Sequence, residues 1–171
     1  MSIAHWVDNQ KMGSKSLFLL RHAKAVAGGI LISDKDRPLS EKGVKDISKL
    51  ASKLSKKGLD FELIITSPAV RTITTAQILL RGLKISHSHL VVNDALYDAE
   101  VMNLLKVISS VSKKIDQLMI VGHNPSLMSL ASYIAGEPIS LSTCSLIKFS
   151  FDFKEWHDIL TKRASKFRFL N

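Results

Sequence analysis

The sequence predicts a three-layer α/β/α domain built on a mostly parallel sheet, and three observations point to it. Apolar runs of strand length alternate with stretches of helical periodicity along the 171 residues, the order that right-handed crossovers turn into a parallel sheet covered on both faces. A composition of 46% hydrophobic and 23% charged residues is that of a globular protein, and the length suits one core rather than two. Arg21-His22, Ser67 and His123 each follow an apolar run directly. They therefore fall at the carboxyl ends of strands, where sheets of this kind bind ligands.

The elements follow in order. Residues 1–15 read as an amino-terminal extension with no predicted order, ahead of a single domain over 16–171. Met1 to Ser16 lacks both the apolar centre of a secretory signal and the Arg-rich, acid-poor pattern of a transit peptide. Leu17-Phe18-Leu19-Leu20 marks a strand over 16–21. Ser40 ahead of Glu41 caps a helix over 40–57, in which Lys42, Lys45, Lys49, Lys53 and Lys56 recur opposite Val44, Ile47, Ala51 and Leu54. A strand over 61–66 leads to a helix over 69–81 that Pro68 starts. Then come a strand over 88–92, a helix over 100–112 and a strand over 117–122. Asn124 and Pro125 read as N-cap and first residue of a helix over 125–135, and a strand over 143–151 follows. The tail from Thr161 carries Lys162, Arg163, Lys166 and Arg168 without an acid. It reads equally as a final strand or as a mobile basic end.

The net charge of +9 raises the question of a nucleic-acid partner. Much of the excess lies in the lysine stripe, which reads as the solvated face of one helix. No interleaved aromatics and no helix-turn-helix, zinc-finger or RNA-binding signature accompany it, so no nucleic acid is expected. An anionic phosphorylated substrate or an acidic protein partner fits the same charge. No apolar stretch approaches the roughly 18 residues of a membrane span, so no membrane is expected. The lone Cys144 cannot form an intramolecular disulfide and fits a reducing compartment, the cytoplasm.

Four motifs carry the chemistry. They are Leu19-Leu20-Arg21-His22-Ala23-Lys24, then Asp34-x-x-Arg37-Pro38-Leu39-x-x-x-Gly43, then Thr66-Ser67-Pro68-x-x-Arg71-Thr72-x-x-Thr75-Ala76, and finally Val121-Gly122-His123-Asn124-Pro125. Jointly, over about Leu17 to Phe151, they resemble the histidine phosphatase superfamily, and within it the short SixA-type phosphohistidine phosphatases. The resemblance implies a phosphoglycerate-mutase-like fold. The intervals from Arg71 to Asp98 and from Asp98 to His123 are filled by the elements above, so no lid insertion is expected and the pocket should be open and shallow.

What the residues themselves offer agrees with that. Phosphoryl transfer is stabilised mainly by cations around the equatorial oxygens. Arg21, Arg37 and Arg71 supply guanidinium forks that match phosphate geometry. Their charge disfavours protonated imidazole and so keeps His22 neutral and nucleophilic, with its other ring nitrogen held by an acceptor. The resemblance assigns His22 the attack on phosphorus, giving a phosphohistidine intermediate, and His123 a hydrogen bond to a phosphoryl oxygen. It also implies an acid after the third strand, commonly a glutamate. Here Leu96-Tyr97-Asp98 stands in that place, making Asp98 the candidate and Glu100 the second choice. Ala23 replaces the glycine usual after the histidine, which requires an ordinary backbone there. Ser67 reads first as a helix cap and only secondarily as a phosphate contact. Lys24 reads as solvated.

Other chemistries fail their own requirements. Asp34-Lys35-Asp36 imitates the paired aspartates of haloacid-dehalogenase phosphatases, but Pro38 stands where a hydroxyl residue is needed. A cysteine phosphatase needs an arginine six positions after Cys144, where Ser150 lies. No phosphate-cradling Gly-x-x-x-x-Gly-Lys or Gly-x-Gly-x-x-Gly loop occurs. His87 and His89 lack a third ligand for zinc, and His5 and His157 have no supporting context. The sequence thus predicts a metal-independent, cofactor-free phosphatase acting on phosphohistidine in a phosphotransfer or signalling protein. A small-molecule phosphomonoesterase, a non-catalytic phosphate-binding module and a basic nucleic-acid binder remain the alternatives.

Overall fold

The computed structural model describes residues 14–171. The expectation for the extension therefore lies outside the described residues, except at its end. Lys15, assigned to the extension from sequence, is instead the first residue of β1 (Lys15–Arg21) and is buried. Its Nζ donates to the carbonyls of Lys113 and Ile115 and to Asp116 Oδ1 at 2.7 Å, and lies 5.8 Å from the Trp156 ring centroid. The Lys15 charge is thus tied down by three oxygens and an aromatic face.

After β1 come α1 (Glu41–Lys56), β2 (Leu63–Thr66), α2 (Val70–Leu83), β3 (Leu90–Val92), α3 (Val101–Ser109), β4 (Gln117–Gly122), α4 (Ser126–Ala135), β5 (Leu146–Phe151) and β6 (Lys166–Phe169). The sheet order is β3-β2-β4-β1-β5-β6. The pairs β3-β2, β2-β4 and β4-β1 are parallel, while β5 and β6 are added antiparallel. The basic tail therefore ends in a strand, Ile147 pairing with Phe169 and Lys148 with Arg168.

Strand alternation sorts the apolar runs onto two faces. Leu17, Leu19, Leu118, Ile120, Ile147 and Phe149 face α3, α4 and Trp156. Phe18, Leu20, Ile64, Met119, Val121 and Leu146 face α1 and α2. This is the expected three-layer arrangement, and between Arg71 and His123 the described residues hold only α2, β3, α3, β4 and two three-residue 3-10 turns at His87–His89 and Asp94–Leu96. No helix among the described residues is long and apolar enough to cross a membrane.

Several local expectations are corrected. Val44 is exposed rather than inward, and Leu50 joins Ile47, Ala51 and Leu54 on the buried face of α1, whose five lysines face solvent. α2 begins at Val70 with Ala69 as its N-cap, so Pro68 stands two residues before the helix. α4 begins at Ser126 with Pro125 as N-cap, and the Asn124 side chain donates to the Leu141 carbonyl at 2.8 Å instead of capping. β3 is three residues long because His87–His89 close into a 3-10 turn. β5 starts at Leu146, since Cys144 adopts φ 64° and its N–H turns onto the carbonyls of Arg21 and His22. That turn is clamped from the other end of the chain: the Asn171 side chain accepts from Leu146 N–H at 2.7 Å and donates to the Cys144 carbonyl at 2.8 Å.

The chain after β1 is anchored where α1 starts. Ser40 Oγ accepts from Gly43 N–H at 3.1 Å, as the cap requires, and both Ser40 N–H and Oγ–H reach the Lys24 carbonyl. The helix therefore approaches that carbonyl so closely that a Cβ on Gly43 would lie 2.1 Å from its oxygen. We predict that Gly43→Ala destabilises the fold by about 1–3 kcal/mol despite alanine's better helix propensity. Urea unfolding measures this, and an unchanged or raised midpoint would refute the close approach.

Candidate active site

Register brings the two histidines together. Arg21 of β1 pairs with Gly122 of β4, and Thr66 of β2 pairs with Val121. The next residues, His22, His123 and Ser67, therefore stand side by side beyond the strand ends. His22 N–H continues the ladder onto the Gly122 carbonyl and Ser67 N–H onto that of Val121. The connections leaving β1 and β4 pack on opposite faces, α1 with α2 and α4 with α3. Adjacent strands whose crossovers diverge leave a crevice at their carboxyl ends, and both imidazoles stand in it with ring centroids 5.3 Å apart.

His22 is buried, and its Nδ1 lies 2.7 Å from the Ala23 carbonyl. A carbonyl only accepts, so Nδ1 carries the proton and Nε2 of the neutral ring keeps its lone pair. Ala23, whose φ is not positive, is held in turn by its N–H donating to Thr75 Oγ1 at 3.1 Å. Burial first, then the charges of Arg71, Arg21 and Arg37, against the Ala23 hydrogen bond, push the His22 pKa down to about 4. The sequence argument credited the arginines alone, whereas desolvation is the larger cause.

His123 shares a 2.7 Å hydrogen bond between Nε2 and Ser67 Oγ. Ser67 thus supports a histidine rather than capping α2, and its carbonyl is fixed by Thr72 Oγ1–H at 2.8 Å. Burial, followed by Arg71 and the neighbouring His22, lowers the His123 pKa to about 3. When the Ser67 hydroxyl donates to Nε2, Nδ1 of His123 carries the proton; in either tautomer that buried Nδ1 has no hydrogen-bond partner among the described residues. The buried Nε atoms of Arg21 and Arg71 share this condition. Arg21 is otherwise spent on one bond, from Nη1 to the Leu141 carbonyl at 2.9 Å.

Arg71 and Arg37 are joined by a residue to which sequence reasoning gave no role. Asp34 Oδ2 accepts from Arg71 Nη2 at 2.9 Å, and Oδ1 accepts from Arg37 Nε at 3.0 Å and Nη2 at 2.8 Å. Arg71 Nη1 also reaches the Asp34 carbonyl, and Arg37 Nη1 reaches that of Val26 at 3.1 Å. Tyr97 completes the bridge, its hydroxyl donating to Asp34 Oδ2 at 2.9 Å while its ring stands edge-on to His123 at 5.6 Å. The Tyr97 hydrogen bond above all, then Arg71 and Arg37, outweigh partial desolvation and hold the Asp34 carboxyl down at about 2. The same bond raises the Tyr97 phenol. The spacing of Asp34 to Arg37 in one loop was the available signal for Asp34; for Tyr97 the sequence held none.

Arg21, His22, Arg37, Arg71 and His123 are thus one electrostatically coupled group. Asp98 and Glu100 are not part of it. Asp98 has φ 50° in the turn before α3 and is exposed, with no hydrogen bond or ion pair among the described residues. Glu100 is the exposed N-cap residue of α3 and makes no side-chain cap bond. The carboxylate whose charge acts on His123 is that of Asp34. Among the described residues no group of three or more His, Cys, Asp or Glu is arranged to hold a metal ion.

These geometries set an expected proton inventory. In an NMR titration the His22 imidazole should stay neutral down to pH 5 and protonate near about 4. A midpoint between 6 and 7 would contradict its burial among cations. The sign for stability follows: a folded pKa below the unfolded 6.5 means that stability falls as pH drops from about 6.5 through about 4, because only the unfolded chain gains the proton there.

Comparison with known proteins agrees with this architecture. The sequence profile of the histidine phosphatase superfamily (branch 1) matches residues 17–104. An uncharacterized chloroplastic protein of Arabidopsis thaliana is 33% identical over 142 residues, 77% of this chain and 64% of that protein. An uncharacterized Picosynechococcus protein is 41% identical over 63 residues, 37% of this chain and 38% of its own length. The chain thus spans less than two thirds of either curated relative. Among solved structures, a candidate phosphohistidine phosphatase SixA from Agrobacterium tumefaciens superposes with a TM-score of 0.75 at 26% identity, over 90% of this chain and 97% of that one. A mycobacterial glucosyl-3-phosphoglycerate phosphatase, at 14% identity, shares the fold with a TM-score of 0.64, over 91% and 97% of the two chains. With half of its length matched by the profile and its sheet, helices and histidine pair arranged as described, the chain belongs to the histidine phosphatase superfamily, branch 1.

Proposed function

We propose that this protein is a metal-independent phosphatase that passes the phosphoryl group through His22 and acts on phosphohistidine carried by a protein. The observation that carries the reading is the neutral, oriented His22 imidazole set among buried guanidinium groups whose Nε atoms remain unbonded. In this reading Nε2 attacks phosphorus in line. The substrate's phosphoimidazole takes a proton from solvent on its distal ring nitrogen, and the P–N bond breaks with its electron pair staying on the departing nitrogen, so that neutral imidazole leaves. Arg21, Arg37, Arg71 and a protonated Nδ1 of His123 stabilise the equatorial oxygens. Water then attacks the phosphoryl group on His22, releasing phosphate and restoring the imidazole.

The acid side of the site separates substrate classes. An alcohol leaving group needs a proton donor, and a suitable carboxylic acid has its pKa raised toward neutrality. The carboxyl next to His123 has the opposite character, since Asp34 is held at about 2 and stays ionised. Asp98, the first candidate from sequence, is solvated and outside the coupled group. Imidazole leaves with far less help than an alkoxide because its conjugate acid has a pKa of about 6.5. This favours phosphohistidine over phosphomonoesters of sugars and nucleotides.

His22→Ala should lower turnover of a histidine-phosphorylated protein at least about a thousandfold, and Arg71→Ala about a hundredfold. Rapid quench of the native enzyme should trap an acid-labile, alkali-stable phosphoenzyme. Retention of wild-type turnover by His22→Ala, or no trapped species during turnover, would end the covalent reading. A panel of sugar and nucleotide monophosphates should be hydrolysed at least ~100-fold less efficiently than phosphohistidine, and the reverse order would favour the monoesterase. A protein that binds phosphate and releases none from any of these substrates would be a binding module. Activity should survive EDTA; its loss with rescue by a divalent ion would contradict metal independence.

A further inference from the structure

The segment between β1 and α1 carries a feature that phosphate chemistry does not explain. Ala25 bridges Leu39 and Val26 N–H donates to the Pro38 carbonyl at 3.0 Å, forming the base of an arm. Gly29 bridges Ile32 at its tip, and Ile30 and Leu31 occupy the turn. Turn corners favour Gly, Asn, Asp, Ser and Pro, each for a conformational or hydrogen-bonding reason that neither Ile nor Leu offers. Ile30 and Leu31 are nevertheless 106% and 98% exposed, and Ile32 is 43% exposed. Among the described residues nothing covers these two side chains. Single exposed aliphatics are ordinary, but three consecutive ones at a projecting turn mark an interaction site.

The arm belongs to the rim of the catalytic pocket. Arg37, which closes it, binds the Val26 carbonyl within the arm and Asp34 beside Arg71. Ser33 Oγ donates to Asp36 Oδ2 at 2.6 Å and Asp36 N–H returns to the Ser33 carbonyl, so the descent from the tip to Asp34 is ordered. Ile32 is two positions before Asp34, which limits the distance between them to about 7 Å. A small sugar or nucleotide phosphate seated among the arginines would offer Ile30 and Leu31 little apolar surface to bury against. A folded protein presenting a phosphohistidine would supply it. Lys24 is exposed; Lys35 is half exposed over the Tyr97 ring, lies 4.0 Å from Asp94 and is flanked by Asp34 and Asp36; and the chain as a whole carries a net charge of +9. An occupant with an apolar groove and an acidic surround is complementary to it.

We propose that the Gly29–Ile32 turn is a docking element that inserts Ile30 and Leu31 into an apolar groove beside the phosphohistidine of an acidic protein substrate. This rests on the reading of the site as a phosphatase for protein-borne phosphohistidine. The test compares the wild type with Ile30→Ser/Leu31→Ser on two probes, a histidine-phosphorylated phosphotransfer domain and the free amino acid phosphohistidine. Both substitutions are at exposed positions outside the catalytic group. The expected result is a fall of at least tenfold in kcat/KM for the phosphodomain, expressed mainly in KM, with free phosphohistidine unchanged within twofold. Equal kcat/KM of wild type and variant on the phosphodomain would overturn docking while leaving the phosphatase reading intact. Hydrolysis of free phosphohistidine but not of any phosphodomain by the wild type would overturn the protein-substrate reading and docking together. Two further measurements decide against the proposal if positive while phosphodomain turnover is unchanged. One is variant-sensitive co-sedimentation with phosphatidylglycerol vesicles, which would assign the tip to a lipid surface. The other is a dimer in sedimentation equilibrium that the variant abolishes, which would assign it to a second copy.

Discussion

The parallel pairing of β1 with β4 is the constraint on which the site depends. Because Arg21 lies opposite Gly122, the residue after each strand is a histidine next to a histidine, and no loop has to search for that arrangement. The core enforces the register. A slip by one residue would turn Leu17 and Leu19 away from the α3–α4 face and Phe18 and Leu20 away from the α1–α2 face. The same packing buries the imidazoles, and burial is the first cause of their low basicity. Fold stability and the low basicity of the two imidazoles therefore come from one source, the close packing of the strand ends.

Asp34 adds a second level of organisation. One carboxylate bridges two guanidinium groups from distant parts of the chain and takes a phenol hydroxyl as well. Two like charges would otherwise repel, and long arginine side chains lose considerable rotamer freedom when fixed. The bridge offsets both, presenting Arg37 and Arg71 as a pair. Because Asp34 is about half exposed while Arg71 is 6% exposed, solvent can compete for the carboxylate but scarcely for Arg71. The arginine is the fixed partner and the aspartate the exchangeable one.

Much of this was legible in the sequence, and what was missed has physical reasons. Apolar runs such as Leu17-Phe18-Leu19-Leu20 and the strand-end position of His22, Ser67 and His123 follow from periodicity, because both faces of the sheet are covered. Arg71 and Arg37 could be named from residue type and motif. The bridge could not, since an aspartate three residues before an arginine is common in solvated loops and Tyr97 approaches from another part of the chain. Asp98 was chosen by motif position, and its φ of 50° is a backbone property that no residue pattern around it announced. Val44 and Asn124 failed for the same kind of reason: which edge of an amphipathic helix is covered, and where a side-chain amide finds its acceptor, are decided by neighbours remote in sequence.

The clamp formed by Asn171 has a consequence for how the chain transmits disturbance. From its side chain, one hydrogen bond leads to the Cys144 carbonyl, and the N–H of the same residue reaches the carbonyl of His22. Asn171 is therefore two links from His22, although 149 positions separate them in number (171 minus 22). Removal of these side-chain bonds by substitution of Asn171 would propagate through the Cys144 turn into the orientation of the His22 imidazole. Asn171 thus acts as a keystone of the turn that holds His22 while forming no bond to the imidazole itself.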